Sequence, residues 1–254
     1  DPLVGDFLCK LLIPNHVPGE RFPSLLALHG HGGNADSFAR RELVEEIVRL
    51  GVVVAIPHFR AMRNQYEANI GRKLLNLGFP LMGIRIYECL RVLEITRSLS
   101  MVQPEKIAVM GHSGGSTIAQ LLSYVEDDFR ACVSDHDSSF HRSHDEICCE
   151  GIPPLSHLAN QIHRPSSFPC PILKTPYNYL PQEDHVLKFL SSHLEPPGES
   201  KAFKELFEST LQALKDTLAL SVKSLLNTTD STHSEVESSL EHLIALAQEL
   251  PSIA

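Results

Sequence analysis

The chain has 254 residues, 43% of them hydrophobic and 21% charged, a balance that excludes a disordered, collagen-like or disulfide-dense polypeptide and leaves room for one large core with an appendage. Its 22 Lys and Arg against 31 Asp and Glu give a formal charge of −9, which repels polyanions, so nucleic acid is not an expected partner. No uninterrupted apolar run reaches the roughly 18 residues of a spanning helix, so no membrane span is expected.

In chain order, Phe7 to Ile13 is an apolar run broken by Lys10, and Pro14-Asn15 with Pro18-Gly19 punctuate the turn after it, so a hairpin is expected. SLLALH (Ser24 to His29) and GVVVAIP (Gly51 to Pro57) are short continuous apolar runs. Between them Leu43, Val44, Ile47 and Leu50 recur at helical spacing. Strands apolar on both faces suit a parallel sheet covered by helices on either side. A helix is predicted from about Met82 to Ser98, with Pro104 as its stop. The strand IAVM (Ile107 to Met110) then leads through Gly111-His112-Ser113-Gly114-Gly115 into a helix over Ser116 to Tyr124, and ACVS (Ala131 to Ser134) is a further strand.

From Asp135 to Pro169 periodicity disappears, apart from a short helix predicted at Pro154 to Ile162, and a stretch of this length reads as a cap or active-side loop. Pro171 to Lys174, extended to Tyr179, reads as one more strand and His185 to His193 as a helix. After Glu195-Pro196-Pro197-Gly198 the composition changes. Phe203, Leu206, Phe207, Leu211, Leu214, Leu218, Val222 and Leu225 recur at steps of three or four, and so do Val236, Leu240, Leu243, Ile244, Ala247 and Leu250 after a polar break. This predicts a helical hairpin, with Ser234 and Glu237 as a capping box on its second helix.

The motif that carries chemistry is Gly111-His112-Ser113-Gly114-Gly115, a G-x-S-x-G pattern between a predicted strand and a predicted helix. A sharp strand-to-helix turn requires small residues two before and two after the serine. It lifts Oγ above the sheet and aims the next amide, that of Gly114, at a developing oxyanion. A second glycine-rich turn, His29-Gly30-His31-Gly32-Gly33, succeeds the strand SLLALH; no Gly-Lys-Ser or Gly-Lys-Thr accompanies it, which argues against a phosphate-binding loop.

Taken in order, FPSLLALHGHGG, GVVVAIP, LMGIRIYECLRVLEITRSLSMVQPEKIAVMGHSGG and RACVS resemble an α/β-hydrolase of the dienelactone hydrolase and acetyl xylan esterase type, over roughly residues 6 to 135. The resemblance implies an α/β fold with a mostly parallel sheet flanked by helices. It implies a serine hydrolase that cleaves esters, lactones or peptides, with nucleophile, acid and histidine in that chain order. Ser113 takes the nucleophile place, and the amide of His31 or Gly32 joins that of Gly114 in an oxyanion hole.

The pattern is departed from after ACVS, the sixth strand of that family. Only about sixty residues separate it from the end of HVLKFLSSHL, so a strand-and-helix unit is missing or remodelled. His185, the last histidine before a helix resembling the fold's terminal one, is the expected general base. Asp137 is taken as the acid, narrowly over Asp135, with Asp184 and Asp145 as rivals; a carboxylate is needed to hold the imidazole tautomer and stabilise imidazolium.

The expected organisation is a hydrolase domain over 1–194, a linker over 195–199 and a C-terminal helical hairpin over 200–254. The expected partner is a small-molecule ester. The hairpin either completes its own domain or forms a homo-oligomer contact. A peptidase, a thioesterase, or a catalytically dead fold used for binding are the alternatives, because fold alone does not guarantee activity. No cofactor is called for. His136, His141 and His144 with Asp137 and Asp145 have no metal-site spacing, so no metal is expected. Asn227-Thr228-Thr229 fits a glycosylation acceptor but reads as an interhelix turn. The six cysteines lack C-x-x-C spacing, which argues against a zinc ribbon or a redox pair, and most are expected to be buried as small hydrophobes. Position 1 is Asp and no basic-then-apolar segment precedes the first strand, so a processed chain or a fragment is expected, and the compartment is open between cytoplasm and secretion after processing.

Overall fold

The computed structural model describes residues 5–60, 62, 64–135, 169–179 and 182–226. The described residues form β1 (Cys9–Leu12), β2 (Phe22–Leu28), α1 (Ala35–Ala39), α2 (Glu42–Arg49), β3 (Val53–Pro57), α3 (Asn64–Asn76), α4 (Leu81–Ser98), β4 (Val102–Gly111), α5 (Gly114–Val125), β5 (Phe129–Ser134), β6 (Ile172–Lys174), a 3-10 turn at Tyr177–Tyr179, α6 (Glu183–Leu194) and α7 (Lys201–Leu226). The sheet order is β1-β3-β2-β4-β5-β6, with β1 antiparallel to β3 and every other pair parallel.

The continuous apolar runs are explained by burial on both faces. All seven residues of β2 and all five of β3 are buried. Alternate side chains feed two cores: Leu25, Val54, Ile56, Met110 and Val133 pack with Phe38, Ile47 and Leu190 on one side, while Leu26, Leu28, Ala55, Val109 and Cys132 pack with Val92, Leu93, Ile118 and Leu122 on the other. Helices therefore cover both faces, as such sequences require. Cys89 and Cys132 are buried within the second core as small hydrophobes.

Several expectations are corrected. β1 does not form a hairpin with β2. Its CKLL sequence is half exposed and pairs at the sheet edge with β3, leaving the wholly apolar β2 to the centre. The helix expected over Met82 to Ser98 spans Leu81–Ser98, but Pro104 is not its stop: it lies inside β4, where the pairing with β2 shifts register, a place that tolerates a residue without an N–H. The last strand stops at Lys174 rather than running to Tyr179: Pro176 follows, and Tyr177–Tyr179 form a 3-10 turn in which Asn178 (φ 62°) and Tyr179 (φ 66°) are left-handed. Helix α3 has no counterpart in the sequence expectations. The short helix expected at Pro154 to Ile162 and the second helix of the hairpin lie outside the described residues.

The chain divides into two compact units, residues 1–199 and 200–254. Within the second, α7 starts on Ser200, whose Oγ accepts from the Phe203 amide at 3.0 Å, and the rings of Phe203 and Phe207 stack one turn apart.

Sheet order decides where a site can form. From β2 the chain goes to β3 on one side, then returns to β4 on the other, so the loops leaving the carboxyl ends of β2 and β4 diverge at the switch point and open a crevice there. Leu25, fully buried in the central strand, tests this core: Leu25→Ala should cost about 2–5 kcal/mol in urea unfolding. Leu77→Ala, at a side chain 71% exposed, should change stability by less than about 0.5 kcal/mol.

Candidate active site

Both glycine-rich turns lie at this crevice. Ser113 occupies the N-cap of α5 with φ 53° and ψ −119°, a positive-φ conformation that costs a non-glycine residue on the order of 1–3 kcal/mol and persists only where its surroundings over-determine it. They do so here. A Cβ on Gly111 would lie 2.1 Å from the Gly115 carbonyl oxygen, and one on Gly115 would lie 2.2 Å from that of Leu28. The small residues flanking the serine are thus required by backbone-to-backbone contact. Gly30, from the other turn, is pressed so close that its Cβ would lie 2.8 Å from Ser113 Cβ.

Asp135 locks the turn from below. Its buried carboxylate accepts from the Ser113 amide at 2.8 Å and Ser116 Oγ at 2.9 Å on one oxygen, and from the Asn178 amide at 2.9 Å and His112 Nδ1 on the other. Burial pushes its pKa up, but the bonds from His112, the Ser113 amide and Ser116 outweigh it and hold the carboxyl below its ordinary range. Tyr179, also buried, donates its hydroxyl to the Gly111 carbonyl, and Tyr177 packs against the His112 ring at 4.9 Å between centroids.

The amides above the turn divide cleanly. Gly32 N–H donates to the Met62 carbonyl at 2.9 Å and Gly33 N–H to that of Gly30 at 3.2 Å. The amides of His31 and Gly114 have no acceptor among the described residues. The His31 ring lies over Gly114, where a Cβ would meet its Cε1 at 2.5 Å and its Nδ1 at 2.7 Å, and its Nε2 bonds the buried Glu67 carboxylate at 3.1 Å. Glu67 in turn accepts from the wholly buried Arg85 at 2.7 Å. Burial raises the Glu67 pKa, yet the bonds from His31 and Arg85 and the Arg85 charge bring it below the ordinary range.

Beneath this loop His29 is fixed as a neutral ring. Phe59 N–H donates to Nε2 at 3.2 Å, which leaves Nδ1–H to donate to the Gly30 carbonyl at 3.0 Å.

The structure thus brings Ser113, Gly114 and His31 together. His185 lies exposed in the first turn of α6 with no hydrogen-bond partner among the described residues. Asp137 and the neighbouring histidines His136, His141 and His144 lie outside the described residues. No described histidine hydrogen-bonds Ser113 Oγ. Asp135, ranked second as the acid, is committed to the turn and to His112. Sequence reasoning missed Glu67 and Arg85 altogether: they belong to α3 and α4, and only their pairing in space marks them.

Comparison with known proteins agrees with this architecture. No family model matches the chain. It is 32% identical over 126 residues to YtaP, a provisionally named hydrolase of Bacillus subtilis strain 168, an overlap of 44% of this chain and 42% of that protein. The chain therefore spans less than half the length of that relative. A crystal structure of a provisionally named acetyl xylan esterase from Bacteroides fragilis NCTC 9343 superposes with a TM-score of 0.51 at 17% identity, covering 78% of this chain and 62% of that one. The chain has the α/β-hydrolase fold.

The geometry of the site makes two outcomes testable. Gly115→Ala should cost at least about 3 kcal/mol, at the upper end for overpacking, because the atom met is backbone and has no rotamer to yield. For His29, burial lowers the pKa from the ordinary 6.5 to about 4. The unfolded chain then takes up its proton first on acidification, so stability present above about pH 6.5 is lost progressively toward pH 4, by on the order of 3 kcal/mol. Urea unfolding at stepped pH should show the stability gap between wild type and His29→Gln narrowing by up to that amount on acidification; a gap independent of pH contradicts the assignment.

Proposed function

We propose that this chain is a serine hydrolase that cleaves carboxylic esters by acyl transfer. One observation carries the reading: Ser113 is held at positive φ where β4 meets α5, with the open amides of Gly114 and His31 beside it. Ser113 Oγ attacks the acyl carbon, and the two amides receive the charge that develops on the carbonyl oxygen. Each such donor is worth about 2.7–4 kcal/mol of transition-state stabilisation. Small residues at Gly111 and Gly115 with a strained serine between them support reading this turn as a nucleophile elbow. Likeness to a protein named as an acetyl xylan esterase supports an ester substrate. An ester is also the less demanding bond, since its alkoxide leaves with less help from an acid than the amine of a peptide.

A second reading has an observation of its own. Ser113 Oγ bonds no histidine among the described residues, as in a fold kept for binding alone. A fluorophosphonate probe separates the two. Wild type should form a stoichiometric adduct mapped by mass spectrometry to Ser113, and Ser113→Ala should form none while remaining folded by circular dichroism. Folded wild-type protein that takes no label favours the binding fold.

A further inference from the structure

An activated serine needs a proton acceptor whose ring is oriented by another group. Among the described residues, His185 has no orienting partner, while His31 has one. The Glu67 carboxylate can only accept, so His31 Nε2 must carry its hydrogen, and Nδ1 is left with its lone pair. That nitrogen is on the edge of the ring pressed against Gly114, the residue next to Ser113 in the chain. The glycine is required for this approach as well, since any side chain there would occupy the ring's place. The orienting carboxylate is fixed in turn: Arg85 Nη1 holds it at 2.7 Å, and Arg85 Nη2 is tied to the Arg60 carbonyl at 3.3 Å. Among the described residues, the charged or titratable groups linked to the ring are Glu67 from α3, which bonds it, Arg85 from α4, which holds Glu67, and the neutral His29.

His112 also has a carboxylate partner, Asp135, but that pair serves another purpose. The same carboxylate carries the Ser113 amide, Ser116 Oγ and the Asn178 amide, and the His112 ring is flanked by Phe38 and Tyr177. His112 is built into the turn, whereas His31 reaches over it from a separate loop.

We propose that His31 is the catalytic residue that takes the Ser113 proton, with Glu67 as its positioning residue; this rests on Ser113 being the nucleophile. As Oγ bonds to the acyl carbon, the Oγ–H bond breaks and its proton passes to His31 Nδ1. The resulting imidazolium faces the ionised Glu67. When the tetrahedral adduct collapses, the bond to the leaving oxygen breaks and that oxygen takes the proton from Nδ1. Water then attacks the acyl-enzyme by the same route, giving its proton to Nδ1, and Ser113 recovers its own.

The test is the rate of fluorophosphonate labelling of Ser113 in the full chain between pH 5 and 9. Wild type should label faster as pH rises and then level off. His31→Ala should label about 10²–10⁴-fold more slowly, the range a general base supplies, should lose the rising limb, and should recover rate with added imidazole, which a merely structural role would not permit. Glu67→Gln should displace the limb; should that variant not fold, rescue of His31→Ala decides alone. Labelling of His31→Ala at the wild-type rate overturns the proposal. So does a wild-type rate that falls with pH, the behaviour of an electrophilic imidazolium, or a limb abolished by His185→Ala instead. In each of those cases Ser113 still labels and the nucleophile reading stands. Absence of adduct in wild type overturns both.

Discussion

The carboxylate of Asp135 is the constraint on which the serine turn depends. Four donors from three parts of the chain converge on it: the Ser113 amide and the His112 ring from the turn, Ser116 from α5, and the Asn178 amide from the segment after β6. A buried carboxylate without partners would be strongly destabilising; one with this many charge-assisted bonds stays ionised and holds its donors in place. The unusual φ of Ser113 is tolerated because its amide has somewhere to go. The same saturation explains why Asp135 is unavailable to a distant histidine.

Around this anchor the turn is fixed by exclusion. The Leu28 carbonyl accepts from the His112 amide at 3.0 Å while touching the Cα side of Gly115, so β2 and the start of α5 meet as bare backbone. Such contacts cannot relax by changing a rotamer, and they transmit the position of the central strands directly to Ser113. Gly30 does the same from the loop after β2. The distance between the serine turn and the His31 amide is therefore set by the sheet rather than by flexible side chains, which is the preorganisation that the proposed oxyanion site requires.

Legibility in the sequence depends on whether the information is local. The strands β2, β3 and β4 declare themselves because burial on both faces leaves an unbroken apolar run, and the glycines around Ser113 declare the turn. Pairing is not local: nothing in CKLL says that the partner of Leu11 is Ala55 rather than a residue of β2. Helix α3, with the sequence NQYEANIGRKLLN, has too mixed a pattern to announce a buried face, so Glu67 reads as one more surface acid. Its burial depends on Arg85, eighteen residues later, and His31, thirty-six residues earlier. The choice between Asp135 and Asp137 is likewise beyond the sequence, since two loop carboxylates two residues apart differ only in what folds over them.

Two buried carboxylates thus act on the serine turn, Asp135 directly and Glu67 through the His31 ring, and they do different work. Neither is explained by stability, because a buried ion pair gains little over well-packed apolar side chains once desolvation is counted. What each supplies is direction. Asp135 gathers backbone amides and fixes the path of the chain through the turn. Glu67, held by Arg85, binds a single ring nitrogen and thereby fixes the tautomer and the facing of a side chain. A hydrophobic contact could hold the His31 ring in place, but it could not choose which of the two nitrogens carries the hydrogen. An acceptor-only group at Nε2 makes that choice, and it leaves the lone pair on the edge that lies against the serine turn.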